Sequence, residues 1–196
     1  MPKTDPAGLE ELRADTLAVI RGRGYQHRDE PFQLASGEFS HDYIDGKKAL
    51  SAGRDLGVAG QAVVALTRDR GVEFDAVGGL TLGADPLAHM VAYLTGTSWF
   101  VVRKAAKDHG RGRRVEGAEL GPGVRVLLVD DVVTTGGSSL QALDEVTVSG
   151  AEVVLALALV DRGETAAARF AERGVPYAAL ISYRDLDIPP VGVTGG

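Results

Sequence analysis

Val126-Leu127-Leu128-Val129-Asp130-Asp131-Val132-Val133-Thr134-Thr135-Gly136-Gly137-Ser138 runs from an apolar segment directly into two carboxylates and then a turn of hydroxyls and glycines. Four aliphatic residues in a row suit a central parallel strand covered on both faces, and ligands of such sheets sit beyond the carboxyl ends of the strands. Asp130 and Asp131 fall at that end. Adjacent carboxylates can accept hydrogen bonds from vicinal sugar hydroxyls and attract Mg²⁺, a hard cation that prefers oxygen and keeps most of its waters. Thr134, Thr135 and Ser138 then supply hydroxyl donors, while Gly136 and Gly137 let backbone N–H groups approach a phosphate where the next helix begins. An ordinary turn and helix cap would need one such residue. Here seven of the nine positions from Asp130 to Ser138 are Asp, Thr, Gly or Ser, which points instead to a phosphorylated sugar. No G-x-x-x-x-G-K-[ST] occurs, and no G-x-G-x-x-G follows a strand, so other phosphate loops fit poorly.

A second segment, Val101-Val102-Arg103-Lys104-Ala105-Ala106-Lys107-Asp108-His109-Gly110, concentrates cations after another apolar run. Residues 103–114 hold six Lys/Arg against one Asp, a formal +5, so the rest of the chain carries −11 of the total of −6. Most charge runs are solvated faces, but this one, in an acidic protein, calls for a local anion. A diphosphate leaving group fits, because lysine and arginine neutralise charge as it develops on departing oxygens.

The 126–138 segment resembles the 5-phosphoribosyl-1-diphosphate (PRPP) loop of type I phosphoribosyltransferases. Residues 103–110 resemble the catalytic-loop motif R-K-x-x-K-x-H-G of the orotate phosphoribosyltransferases. The resemblance runs from about Phe32 to Leu186, with its motifs in the family's order. Phe32-x-Leu34-x-Ser36-Gly37, followed by Tyr43 and Asp45, matches the family's N-terminal hood, and Val160-Asp161-Arg162 matches the strand end whose arginine holds the orotate carboxylate.

The resemblance implies an α/β chain with the type I phosphoribosyltransferase fold: a central, mostly parallel sheet flanked by helices, with a small N-terminal hood. It implies PRPP contacts from Arg103, Lys104, Lys107, His109, Asp130, Asp131, Val132, Val133, Thr134, Thr135, Gly136, Gly137 and Ser138, with Lys107, His109, Asp130 and Asp131 catalytic. Orotate contacts are implied for Tyr43, Thr134 and Arg162. Mg²⁺ is expected to bind mainly through PRPP and diphosphate, with no metal site of the protein's own. A homodimer with shared active sites is also implied, because the mobile loop of relatives closes over the neighbouring subunit.

Three departures from the family pattern bear on the base. Ala35 stands where many members have lysine, Glu38 adds a negative charge after Ser36-Gly37, and Gly79-Leu80-Thr81-Leu82-Gly83-Ala84-Asp85-Pro86 lacks the usual lysine. Transfer to another base, or a PRPP-sensing regulator, are the alternative readings. A purine has no carboxylate for Arg162, and a regulator needs a nucleic-acid element that the roughly 30 residues before the hood do not supply.

The chain of 196 residues, 44% apolar and 24% charged, with no 18-residue apolar run, is expected to form a single domain without a membrane span. Its expected parts are an N-terminal helix and hood (1–45), a core (46–186) and a loose tail (187–196). The opening Met1-Pro2-Lys3-Thr4-Asp5-Pro6 lacks an apolar leader and there are no cysteines, so a cytoplasmic location is expected and cysteine nucleophiles are excluded. With no basic stripe outside residues 103–114, nucleic acid is not an expected partner. His27, His41 and His89 have no metal-ligand spacing and read as structural or surface residues.

Helical spacing of Leu9, Leu12, Thr16, Val19 and Ile20 predicts a first helix stopped by Gly22 and Gly24. The hood is expected from a short extended stretch at 32–34 and a strand at 43–45, with a helix over 56–66 after it. Strands are then expected at 76–79, 99–102, 124–129, 153–160 and 178–182, alternating with helices at 86–94, 138–148 and 164–173, and residues 110–117 are expected to be a loop. That alternation is the βαβ signature of a parallel sheet.

Overall fold

The computed structural model describes residues 6–34, 37–105 and 114–192. In chain order the elements begin with α1 (Pro6–Val19), a π-helical turn (Ile20–Gly24), β1 (Tyr25–Gln33), β2 (Phe39–Ile44), α2 (Gly46–Ala49) and α3 (Gly53–Asp69). Next come β3 (Ala76–Leu80), α4 (Asp85–Thr95), β4 (Ser98–Val102), β5 (Val115–Gly117), β6 (Arg125–Val133), α5 (Gly137–Ser149), β7 (Glu152–Asp161), α6 (Ala166–Ala171) and β8 (Tyr177–Ser182). The last six strands form one sheet in the order β5-β4-β3-β6-β7-β8, parallel except for the β4–β5 pair. The expected parallel core is therefore present.

Strand β6 shows why. Successive side chains alternate between faces: Leu127 and Val129 join an apolar cluster with Leu9 of α1, Val63 of α3 and Leu87 of α4. Val126 and Leu128 join another with Leu143 and Val146 of α5 and Phe170 of α6. Each such fully buried side chain contributes about 1.5–3 kcal/mol, so helices on both faces fix the strand in place. Its polar end is then carried into partly closed surroundings. Register pairs Asp130 with Ala158 and Val132 with Val160, which brings the ends of β6 and β7 side by side.

Strands β1 and β2 form a separate antiparallel hairpin, with His27 opposite Asp42 and Gln26 opposite Tyr43. The hairpin is closed at its base where Asp45 N–H donates to Gly24 O at 2.9 Å, and it meets the core where Arg162 Nη1 donates to Asp42 O at 2.8 Å. Arg13 of α1 reaches Leu180 O and the Asp185 carboxylate.

Several boundaries differ from expectation. Residues 115–117 are not loop: they pair with Phe100, Val101 and Val102 as an edge strand, because the β4 edge offers backbone partners that a short, mostly polar stretch does not advertise. Strand β6 continues four residues past Val129, so the acidic pair lies within the strand rather than after it. The tail expected to be loose is fastened as far as Gly192. Ile188 and Val191 are buried, Val191 N–H donates to Arg162 O at 2.8 Å, and Gly192 N–H donates to Glu38 Oε2 at 2.5 Å. Pro189-Pro190 and the glycines suggested disorder, but two buried apolar side chains and these two hydrogen bonds outweigh that composition.

Candidate active site

At the carboxyl end of β6, Asp130 and Asp131 are both 7% exposed. Asp130 Oδ2 accepts from Ser139 Oγ at 2.7 Å and Oδ1 from Asp131 N–H at 3.1 Å, while Asp131 Oδ1 accepts from Val132 N–H at 2.9 Å. Burial, and then the neighbouring Asp131 charge, pushes Asp130 up to about 7 despite the Ser139 bond. Lys47 Nζ lies 3.7 Å from Asp131 Oδ2, bringing a cation from α2. Two glycines make room for these carboxylates. A Cβ on Gly46 would come within 2.6 Å of Asp131 Oδ2, and one on Gly83 within 2.5 Å of Asp131 Oδ1.

The acidic pair opens into a cavity of about 520 Å³. Lys47, Thr81, Leu82, Gly83, Arg103, Lys104 and Ser138 line the rest of it, so cations and hydroxyls face the carboxylates across one space. Arg103 Nη1 bonds Glu116 Oε1 at 3.1 Å, which steadies its stem on β5, and Lys104 O accepts from Gln141 of α5 at 3.3 Å. Thr81 Oγ1 donates to Asp85 Oδ2 at 2.7 Å, bracing the turn between β3 and α4. Adjoining this space is a concavity of about 190 Å³ lined by Asp130, the run 132–138 and Ser139. Gly136 adopts φ 77 at its base, a left-handed conformation open to glycine, and α5 begins at Gly137. The free N–H groups and positive end of the 13-residue α5 therefore face the concavity.

Arg162 follows the last residue of β7 and is only 2% exposed. Its Nη1 donates to Asp42 O, yet Nε and Nη2 are buried and find no hydrogen-bond partner among the described residues. Buried donors left unpaired cost about 1–3 kcal/mol each, so their retention at a site edge needs a reason. Nε and Nη2 share one edge of the guanidinium, the two-donor fork that fits a carboxylate. Desolvation lowers the Arg162 pKa, and the nearby Asp42 charge opposes that shift. Asp42 is itself buried. Its carboxyl is raised by burial, but bonds from His27 and Tyr25 outweigh this and the net direction is down.

The phosphoribosyl transferase domain family matches residues 64–172, which take in the residue 103–114 cluster, the acidic pair, the glycine turn and Arg162. The orotate phosphoribosyltransferase of Streptomyces avermitilis is 42% identical over 175 residues, covering 86% of this chain and 93% of that protein. The chain belongs to the orotate phosphoribosyltransferase family. A crystal structure of the Mycobacterium tuberculosis H37Rv orotate phosphoribosyltransferase superposes with a TM-score of 0.78 at 37% identity, covering 90% of this chain and 99% of that one. Another structure of that enzyme, in complex with PRPP, gives a TM-score of 0.75 at 34% identity, covering 90% and 99%. The type I phosphoribosyltransferase fold is therefore that of this chain.

Within that orotate phosphoribosyltransferase framework, the structure gathers Arg103, Lys104, Asp130, Asp131, Val132 and Ser138 around the larger space, and Val133, Thr134, Thr135, Gly136 and Gly137 around the smaller. Arg162 and Tyr43 line neither. Tyr43 packs edge-on against Phe32 at 5.5 Å, and Arg162 is reached through the adjoining Asp42. Lys107 and His109 lie outside the described residues, as does Ala35. Glu38, which looked like an unfavourable charge beside an anionic substrate, is engaged by Gly192 N–H. Lys47 and Ser139 are site residues that sequence reading missed. Lys47 follows Tyr43-x-Asp45 by two positions in the hood motif, and Ser139 continues the hydroxyl run by one residue.

Proposed function

We propose that this chain transfers the 5-phosphoribosyl group of PRPP to orotate, giving orotidine 5′-monophosphate and diphosphate in pyrimidine synthesis. The observation that carries the choice of base is the buried Arg162 with its Nε–Nη2 edge unpaired. Orotate differs from uracil by a carboxylate, and that edge matches a carboxylate in shape and charge. Both nitrogens are closed to water in this conformation, so admitting the substrate requires a neighbouring segment to move. The β1–β2 hairpin rests on the Arg162 guanidinium through Asp42 O.

In this reading Asp130 and Asp131 accept from the ribose hydroxyls and favour the positive charge that grows at C1 as diphosphate leaves. The Thr134–Ser138 turn holds the 5-phosphate by hydroxyls and backbone N–H groups. Arg103 and Lys104 hold the diphosphate, and Lys107 and His109, assigned by motif, neutralise or protonate it. No protein nucleophile is needed: a ring nitrogen attacks C1, and positioning with electrostatics carries catalysis. Mg²⁺ fits as a metal held through the substrate. Asp130 and Asp131 face the space that Arg103 and Lys104 also line, where a hard cation on diphosphate oxygens finds carboxylates within reach. It would neutralise charge on the diphosphate. A cytoplasmic homodimer, each 103–114 loop serving the partner's site, completes the reading.

The test is loss of orotate absorbance on mixing the purified protein with PRPP, Mg²⁺ and orotate, with product identified as orotidine 5′-monophosphate. No consumption of orotate under conditions where PRPP binds would defeat it.

A further inference from the structure

Asp42 poses a problem for the site it borders. In the β1–β2 hairpin it stands directly opposite His27, with Tyr25 two residues earlier on the same face. Tyr25 Oη donates to Asp42 Oδ1 at 2.8 Å, and His27 Nδ1 lies 2.9 Å from the same oxygen. The buried Arg162 guanidinium meets the Asp42 carbonyl at 2.8 Å, yet among the described residues its Nε and Nη2 have no partner. An ionised carboxylate on the very residue that Arg162 touches is the nearest rival for that edge. Forked arginine–carboxylate pairing is the stronger form of such contacts, so an unrestrained Asp42 would be drawn to it. Two cross-strand donors keep it in the hood instead.

We propose that Tyr25 and His27 are positioning residues that hold the Asp42 carboxylate off Arg162, leaving the Nε–Nη2 edge for the carboxylate of the pyrimidine substrate. The inference rests on the reading above that Arg162 takes that carboxylate. Its consequence is competitive: releasing Asp42 supplies an internal substitute for the substrate's acid group, without touching the PRPP space.

Steady-state kinetics on the full chain separates the possibilities. Tyr25→Phe combined with His27→Ala raises the KM for orotate by about tenfold, the worth of one charged hydrogen bond, while kcat and the PRPP KM stay near wild type. Adding Asp42→Asn to that background removes the competing charge and brings the orotate KM back towards wild type. An unchanged orotate KM in the double variant overturns the proposal. So does a raised KM that Asp42→Asn fails to restore, because the hairpin residues would then serve only to keep the hood folded. Arg162→Ala, run alongside, isolates the underlying reading: an unaltered orotate KM in that variant removes the carboxylate site itself, whatever the hood variants do.

Discussion

Ser139, the third residue of α5, donates its hydroxyl to Asp130 Oδ2 at 2.7 Å, tying the helix start to the end of β6 where the acidic pair sits. That bond and the one from Asp131 N–H do not offset the cost of charging a buried carboxyl beside Asp131, so the Asp130 pKa is pushed up to about 7. The sign of the effect on stability follows. The native state holds this proton from the ordinary carboxyl range up to about 7, the unfolded chain does not, and so stability falls as pH rises through that window. The loss is on the order of a few kcal/mol. Thermal unfolding followed from pH 4 to pH 8 should therefore show a decline that Asp130→Asn largely removes, with the variant more stable than wild type at pH 8. The same titration predicts proton release when Mg²⁺–PRPP binds below pH 7, read by calorimetry in buffers of different ionisation enthalpy and absent in Asp130→Asn.

Gly83 tests how closely the turn between β3 and α4 is fitted to the acidic pair. Gly83→Ala places a methyl group 2.5 Å from Asp131 Oδ1 and 3.0 Å from Asp130 Oδ1, so the carboxylates must move. Displacements of this order at a reacting centre cost roughly 10²-fold in rate. kcat/KM for PRPP should fall by that amount, with far-UV circular dichroism unchanged.

Lys47 is partly exposed and 3.7 Å from its carboxylate, so it adds little to stability. It does face the space assigned to diphosphate. Lys47→Ala should raise the KM for PRPP by about tenfold, with a melting temperature close to wild type and the orotate KM little changed.

Lys107 is assigned to charge that develops in the transition state, so Lys107→Ala should lower kcat roughly 10²-fold or more while PRPP binding is weakened much less. The proposed homodimer with shared sites predicts that mixed dimers of Lys107→Ala and Asp131→Asn subunits regain activity, one composite site then being intact. Verified heterodimers with no recovery would assign each loop to its own subunit.

How far the sequence could be read depended on the kind of signal. The 126–138 run was legible because burial on both faces, a strand end and phosphate chemistry each leave a separate mark on it. Strand β1 was mostly hidden: Tyr25-Gln26-His27-Arg28-Asp29-Glu30 has no apolar alternation, since the hairpin buries few of its side chains. Edge strand β5 was missed for a related reason, its pairing being decided by the β4 edge rather than by its own residues. Arg162 carried a family motif, but its contact with Asp42 spans 120 residues of chain, and the Tyr25–His27–Asp42 group is set by cross-strand pairing that their own residue types do not signal. Ser139 lay one residue beyond the end of the motif.

In the proposed reaction the guanidinium of Arg162 reads the carboxylate that sets orotate apart from uracil. The most direct measurement is the KM for orotate in Arg162→Ala and Arg162→Lys beside the wild type, with uracil as the companion substrate. Alanine should raise it roughly ten- to a hundredfold, lysine should recover it only in part because a point charge cannot make the planar two-bond contact, the PRPP KM should stay unchanged, and the wild type should use uracil very poorly. An orotate KM indifferent to Arg162→Ala, or a wild-type protein that uses uracil as readily as orotate, would contradict that role for Arg162.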